Sequence, residues 1–243
     1  MKQLLKKIEL GFKVMPLVDF LDRENGFTDI ELLDWEYFLN KREFSVLRRS
    51  HRVIAKRITD IIYASILATL SIPVMLITAL LIKIESKGPV FFKQKRVGLY
   101  NKEFEVIKFR SMSTDAEKNG AKWAQKNDPR VTKVGKFIRA TRIDELPQLF
   151  NVLIGDMSLI GPRPERKVFI KELKKEIPHY EFRHAVKPGV TGWAQVKYAY
   201  GASLNDAIWK HRYDMYYIKY QSLLFDLKII LYTVKTVIFG MGR

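Results

Sequence analysis

From Ile61 to Ile82 the chain runs through 22 consecutive uncharged residues, IIYASILATLSIPVMLITALLI. As a helix rising about 1.5 Å per residue, this run is long enough to cross the hydrocarbon core of a bilayer. A helix of such length in a soluble core normally carries a polar stripe, and none is present here. Two features complicate a simple span. Pro73 lies in the middle of the run, where it removes one main-chain hydrogen bond and clashes with the preceding turn, so a break or kink is expected there. The hydroxyls of Ser71 and Thr69 are the candidate partners for the backbone groups it frees. The flanks are also basic on both sides, with Arg48, Arg49, Arg52, Lys56 and Arg57 before and Lys83, Lys87, Lys93, Lys95 and Arg96 after. The positive-inside rule therefore sends neither flank outward. A re-entrant helix-break-helix over residues 51–87, entering and leaving by one face, satisfies both observations.

Residues 1–50 read as an N-terminal extension or linker: a basic amphipathic start, an acidic stretch from Asp22 to Glu36, then a basic run. The early charges Glu9, Lys13 and Asp19 interrupt any signal-peptide core, so no signal peptide is expected. Beyond Gly88-Pro89 the pattern shortens to VFFKQKRVG, a turn at Leu99 to Lys102, and EFEVIKFRSM, which predicts a β-hairpin. Helices follow, separated by loops at Asn127-Asp128-Pro129, Gly155 and Gly161-Pro162-Arg163-Pro164. Near the C-terminus Tyr213, Tyr216, Tyr217 and Tyr220 stand among basic residues, and an apolar helix from Phe225 to Phe239 carries Lys228 and Lys235 on one face. Such helices suit the headgroup layer of a membrane, and equally an ordinary core. The expected fold class is α+β: the re-entrant helix, then a small, mostly helical catalytic domain over residues 88–243 with a β-hairpin and interfacial C-terminal helices.

Composition narrows the chemistry. The net charge of +17 leads us to expect an anionic partner: nucleic acid, anionic membrane lipid or a phosphorylated substrate. The absence of cysteine excludes disulfides, thiolate metal sites and a Cys nucleophile.

Functional residue types are densest in KFIRATRIDELPQLFNVLIGDMSLIGPRPE, residues 136–165. Asp144 and Glu145 stand between Arg139 and Arg142 on one side and Gln148 on the other. Neighbouring residues on a helix point about 100° apart, so the two carboxylates cannot perform one identical task. Thr141 and Asp144 read as a capping pair, and Pro147 suits a first turn. The acids are thus expected at a helix N-terminus, where the macrodipole favours carboxylate and phosphate alike. Arg163 offers a planar fork for phosphate. Lys108 and Arg110 alternate onto one face of the second hairpin strand and could reach the same pocket. Asn151 and Asp156 are candidates either to orient the acids or to cap helices. Trp193 and Gln195 are candidates to line the same site. Taken alone, an Asp-Glu pair beside arginines is also compatible with a solvated salt-bridge cluster.

RIDELPQLFNVLIGDMSLIGPRPE, together with KPGVTGWAQV at 187–196 and KRITD at 56–60, closely resembles the bacterial sugar transferase family, the monotopic phosphoglycosyl transferases. The resemblance covers about residues 51–243. The acidic segment ending ELLDWEYFL is similar to the linker that joins an upstream membrane domain to the catalytic part in long family members. One departure is that Ile72, not serine, precedes Pro73.

The resemblance implies a two-step transfer at the cytoplasmic face of the bacterial inner membrane, an early step of surface-glycan assembly. Asp144 would attack the sugar-linked phosphorus of a UDP-sugar, release UMP and hold the phosphosugar. Polyprenyl (undecaprenyl) phosphate would then accept it. Mg²⁺ is expected beside Asp144 and Glu145, with Arg139, Arg163, Lys108, Arg110, Gln148 and Gln195 around the donor. A homodimer is left open, and no residue reads the sugar ring. The charge and aromatic content also fit a nucleic-acid-binding protein, but the long uncharged run argues against nucleic acid as partner. A non-catalytic membrane adaptor would have no need of the paired acids.

Overall fold

A computed structural model describes residues 2–12, 14–39, 44, 50–116, 118, 120, 128–198, 201 and 203–238. Lys13, Arg48, Arg49, Asn127 and Phe239, singled out above, lie outside the described residues. The fold is a mixed α+β arrangement. Helices α1 (Lys2–Glu9), α2 (Leu17–Asn25) and α3 (Trp35–Leu39) precede the long helix α4 (Ser50–Glu85). Strands β1 (Phe91–Val97) and β2 (Glu103–Phe109) come next, then α5 (Lys133–Ala140), α6 (Gln148–Ile154), β3 (Ser158–Ile160) and α7 (Lys167–Glu176). Strand β4 (Gly189–Thr191) and helices α8 (Trp193–Lys197), α9 (Leu204–Tyr220) and α10 (Leu223–Ile238) complete it.

The predicted hairpin is present, antiparallel and in register from Phe91 opposite Phe109 to Val97 opposite Glu103. Its turn places Tyr100 and Asn101 at positive φ, a conformation that asparagine tolerates better than most residues. A second sheet, parallel β3 and β4, was not visible in the sequence because three-residue strands have no measurable period. It explains the two glycine motifs. A Cβ on Gly161 would stand 2.4 Å from the Lys187 carbonyl oxygen, and one on Gly189 would stand 2.1 Å from the Gly161 nitrogen. The GPRP and KPG segments therefore touch main chain to main chain.

Helix α4 keeps its helical hydrogen bonding through the expected break. It continues through Pro73, and the Ser71 hydroxyl donates to the Leu67 carbonyl in its own helix. A single proline costs one hydrogen bond, while the apolar residues on both sides leave the backbone no better partner than the helix itself. This is the one described helix long and apolar enough to cross a membrane. Ala64 and Ile82 are buried, while Leu70, Leu76, Leu80 and Ile84 are bare. Both ends are fastened to the same body. At the start Arg57 donates to the carbonyls of Val152 and Leu153, and Asp60 accepts from the Leu159 amide. At the end Glu85 accepts from the Val134 amide.

Described residues of the N-terminal segment also pack against this body. Lys219 of α9, wholly buried, donates to Asp19 and Asp22 of α2, and Trp193 donates to the Gly26 carbonyl at 2.8 Å. Phe44 is buried against Phe38 and Phe182. Core packing accounts for the tyrosines of α9: Tyr217 is buried and donates to Asp226, and Tyr216 lies against Phe225 and Trp193. On α10, Leu224, Leu227, Leu231 and Val234 form a bare stripe at helical spacing.

Candidate active site

Asp144 and Glu145 lie in a single 3-10 turn, Ile143–Glu145, between α5 and α6. The expected capping pair is absent. Thr141 ends α5, its hydroxyl turned back to the Phe137 carbonyl, and Arg142 enters the turn at a φ of 61°. The left-handed residue ends one helix and starts the next within two positions, which points both acids inward: Asp144 is 8% exposed and Glu145 7%.

Their surroundings differ sharply. Glu145 Oε1 accepts from Lys108 Nζ at 3.0 Å and from the Arg163 guanidinium, with Arg142 4.0 Å away. Burial alone would raise its pKa, but Arg163 and Lys108 outweigh that and hold the carboxyl well below the usual range. Asp144 makes no hydrogen bond or ion pair among the described residues. Burial, reinforced by the adjacent charge of Glu145, pushes its pKa up to about 6 against the partial relief of Lys108, Arg163 and Arg139. Glu145 is thus a fixed anion that gathers cations, and Asp144 is an open carboxylate beside them.

Among the remaining candidates, Arg139 is half-buried on α5 within electrostatic reach of Asp144. Gln148 is buried one turn beyond Asp144, and its side-chain nitrogen has no partner among the described residues.

Arg110 is elsewhere. Its buried guanidinium donates to the carbonyls of Ser86 at 2.9 Å and Lys87 at 2.8 Å, closing the C-terminal end of α4. Those orphan carbonyls and the negative end of the helix dipole draw the cation away from the pocket that Lys108 enters. Asn151 ties α6 to β2 by accepting from the Ile107 amide and donating to the Glu105 carbonyl, and Asp156 is exposed. Gln195 donates to the Val190 carbonyl, and Trp193 is packed against Tyr216, Phe225 and Tyr232. Neither is seen to touch the acids.

Sequence reading missed Arg183 and Asp214, which form a buried ion pair of 2.7 Å behind Arg163. Only their nearness to the KPG motif and to the tyrosine run could have drawn attention to them.

Among the described residues no group of three or more His, Asp or Glu side chains could enclose a metal. Mg²⁺ commonly takes one or two protein carboxylates and completes its shell with water and substrate phosphate. Asp144 fits that role. Glu145 does not fit as it stands, since its oxygens are taken by Lys108 and Arg163.

Residues 51–240 match the bacterial sugar transferase family. The chain is 54% identical over 187 residues to a UDP-N-acetylgalactosamine-undecaprenyl-phosphate N-acetylgalactosaminephosphotransferase of Aeromonas hydrophila, covering 77% of this chain and 44% of that protein. It is 40% identical over 243 residues to a UDP-glucose:undecaprenyl-phosphate glucose-1-phosphate transferase of Xanthomonas campestris pv. campestris, covering 98% of this chain and 50% of that protein. An exopolysaccharide production protein PSS of Rhizobium leguminosarum bv. phaseoli is 43% identical over 192 residues, 75% of this chain and 94% of its own length. The chain thus spans half or less of the first two relatives and nearly all of the third. With a family match over most of its length and relatives at 40–54% identity, this chain belongs to the bacterial sugar transferase family.

Proposed function

We propose that this chain moves a sugar phosphate from a UDP-sugar to polyprenyl phosphate at the cytoplasmic face of a bacterial inner membrane. The observation that carries this reading is the division between the two acids, Glu145 saturated with cations and Asp144 buried beside it without a partner. An ionised carboxylate held among cations but bonded to none is free to attack a phosphorus whose own charge those cations neutralise.

In the first step an Asp144 oxygen bonds to the sugar-linked phosphorus, the bond to the bridging oxygen breaks, and UMP leaves with that bond's electrons. In the second, a phosphate oxygen of the polyprenyl carrier attacks the same phosphorus and frees the Asp144 carboxylate, giving a polyprenyl diphosphate sugar. Lys108 and Arg163, poised on Glu145, are the groups that would meet the charge building on the phosphates, with Arg139 also within electrostatic reach of Asp144. A bound Mg²⁺ would supply further charge neutralisation at the donor phosphates. Asp144 is the residue that would hold it.

The membrane part of the reading rests on α4. Its bare apolar length needs lipid, and its two flanks are held by one body through Arg57 and Arg110. Their anchor points are close: Asn151, next to Val152, is bonded to Ile107, three residues from Arg110. Both flanks therefore belong on one side of the membrane. The donor sugar is a hexose or N-acetylhexosamine, as the names of the relatives suggest.

The test is a burst. Supplied with UDP-N-acetylgalactosamine or UDP-glucose and no polyprenyl phosphate, the enzyme releases about one UMP per active site, and its mass rises by one sugar phosphate. Asp144→Asn should show neither. An adduct that survives Asp144→Asn, or sequential two-substrate kinetics, would remove Asp144 as nucleophile.

A further inference from the structure

We infer that Arg183 is a positioning residue for Arg163, anchored by Asp214; the role in transfer rests on the function proposed above, but the positioning itself does not. Arg183 lies in the turn Tyr180–Ala185 and is 7% exposed. One of its nitrogens donates both to Asp214 at 2.7 Å and to the main-chain oxygen of Arg163 at 2.9 Å, and the other donates to the Tyr180 hydroxyl. The Arg163 side chain continues to Glu145. A polar chain thus runs from α9 through Asp214, Arg183 and Arg163 to the paired acids.

The composition of the loop explains why it needs this hold. Pro162 and Pro164 flank Arg163 and have no N–H, so the segment has few main-chain donors with which to fix itself. It is held instead by its oxygens. The Pro162 carbonyl accepts from the Gly189 amide, the Pro164 carbonyl from Arg96, and the Glu165 carbonyl from the Val97 amide. Arg183 supplies the contact on Arg163 itself, the residue whose guanidinium must reach Glu145. A buried ion pair adds little net stability compared with apolar packing. The forked guanidinium holds the Asp214 and Arg163 oxygens from one nitrogen and the Tyr180 hydroxyl from the other, an arrangement that the single nitrogen of lysine cannot reproduce.

The test begins with Arg183→Lys, which keeps a cation beside Asp214 but gives up the fork, and with Asp214→Asn as a second variant should the first not fold. The variant should retain the wild-type circular dichroism spectrum, while kcat/KM for the UDP-sugar falls about tenfold, the loss expected when one charge-assisted contact is misplaced. Made on top of Arg163→Ala, the same change should have no further effect on kcat/KM, because residues acting through one another are not additive. A purely structural role predicts losses that multiply, and that result would overturn the inference. A second arm needs no activity. Thermal unfolding of the Glu145→Gln, Arg163→Ala and double variants measures the coupling of that pair with and without Arg183→Lys. The coupling should fall by at least half, and an unchanged coupling overturns the inference. Absence of UMP release by the wild type with every UDP-sugar would sink the function and leave this second arm intact.

Discussion

Lys108 and Glu145 meet at 3.0 Å across the gap between the second hairpin strand and the turn that carries the paired acids. Burial lowers the Lys108 pKa while Glu145 supports its charge, and Lys108 in turn helps keep Glu145 ionised. The contact leaves Asp144 as the acid without a fixed partner, and contrasting behaviour of the two acids follows.

Asp144→Asn should stabilise the metal-free protein at neutral pH. A carboxyl whose pKa rises from 3.8 to about 6 on folding favours the fold while protonated, fully so below pH 3.8, and that contribution is lost as pH rises through about 6. Asparagine cannot ionise, so the variant should gain about 2–3 kcal/mol over wild type at pH 7.5, with the gain vanishing near pH 4. Denaturant unfolding in EDTA at the two pH values checks this, and equal stability at pH 7.5 would contradict it.

Glu145→Gln should act in the opposite direction. It leaves Lys108 and Arg163 facing each other without the anion between them, at a cost of about 3–5 kcal/mol. A melting temperature at or above wild type would show that the cations relax away freely.

Arg163→Ala and Arg110→Met should separate donor use from architecture. Arg163→Ala, and likewise Arg139→Ala, should weaken donor use by about 1.5–3 kcal/mol. Arg110→Met should instead lower stability by uncapping α4, without a specific rise in donor KM. Steady-state kinetics on variants matched for folded fraction distinguish the cases.

Divalent metal should be required. EDTA should reduce UMP release to background and Mg²⁺ should restore it, because Asp144 and two phosphates meet in one site. Undiminished turnover in EDTA would exclude this dependence.

Arg52→Cys and Lys87→Cys, introduced singly, should both resist an impermeant thiol reagent in intact cells and react after permeabilisation. Both residues are exposed at opposite ends of the apolar run, and the protein has no cysteine of its own. Labelling of one alone in intact cells would establish a full span.

Much was legible in the sequence where the signal is local. The uncharged run, the hairpin with its turn and the neighbouring acids each depend on residues close together along the chain, where periodicity and propensity act. At Pro73 the helical hydrogen bonding persists, because its one lost hydrogen bond is small beside the backbone bonds that only a helix can keep in apolar surroundings.

The partners of the acids were another matter. Lys108 and Arg110 are two residues apart and chemically alike, yet one meets Glu145 and the other closes α4, a choice made by carbonyls at Ser86 and Lys87. Arg183 and Asp214 are 31 positions apart, and Lys219 and Asp22 are 197 apart. Such pairings come from the docking of whole elements and leave no mark on neighbouring residues. The sequence by itself determined the hairpin, the long apolar helix and the adjacency of the two acids; only the tertiary structure decided which cation serves which anion, because that depends on distances set after the helices and strands have packed.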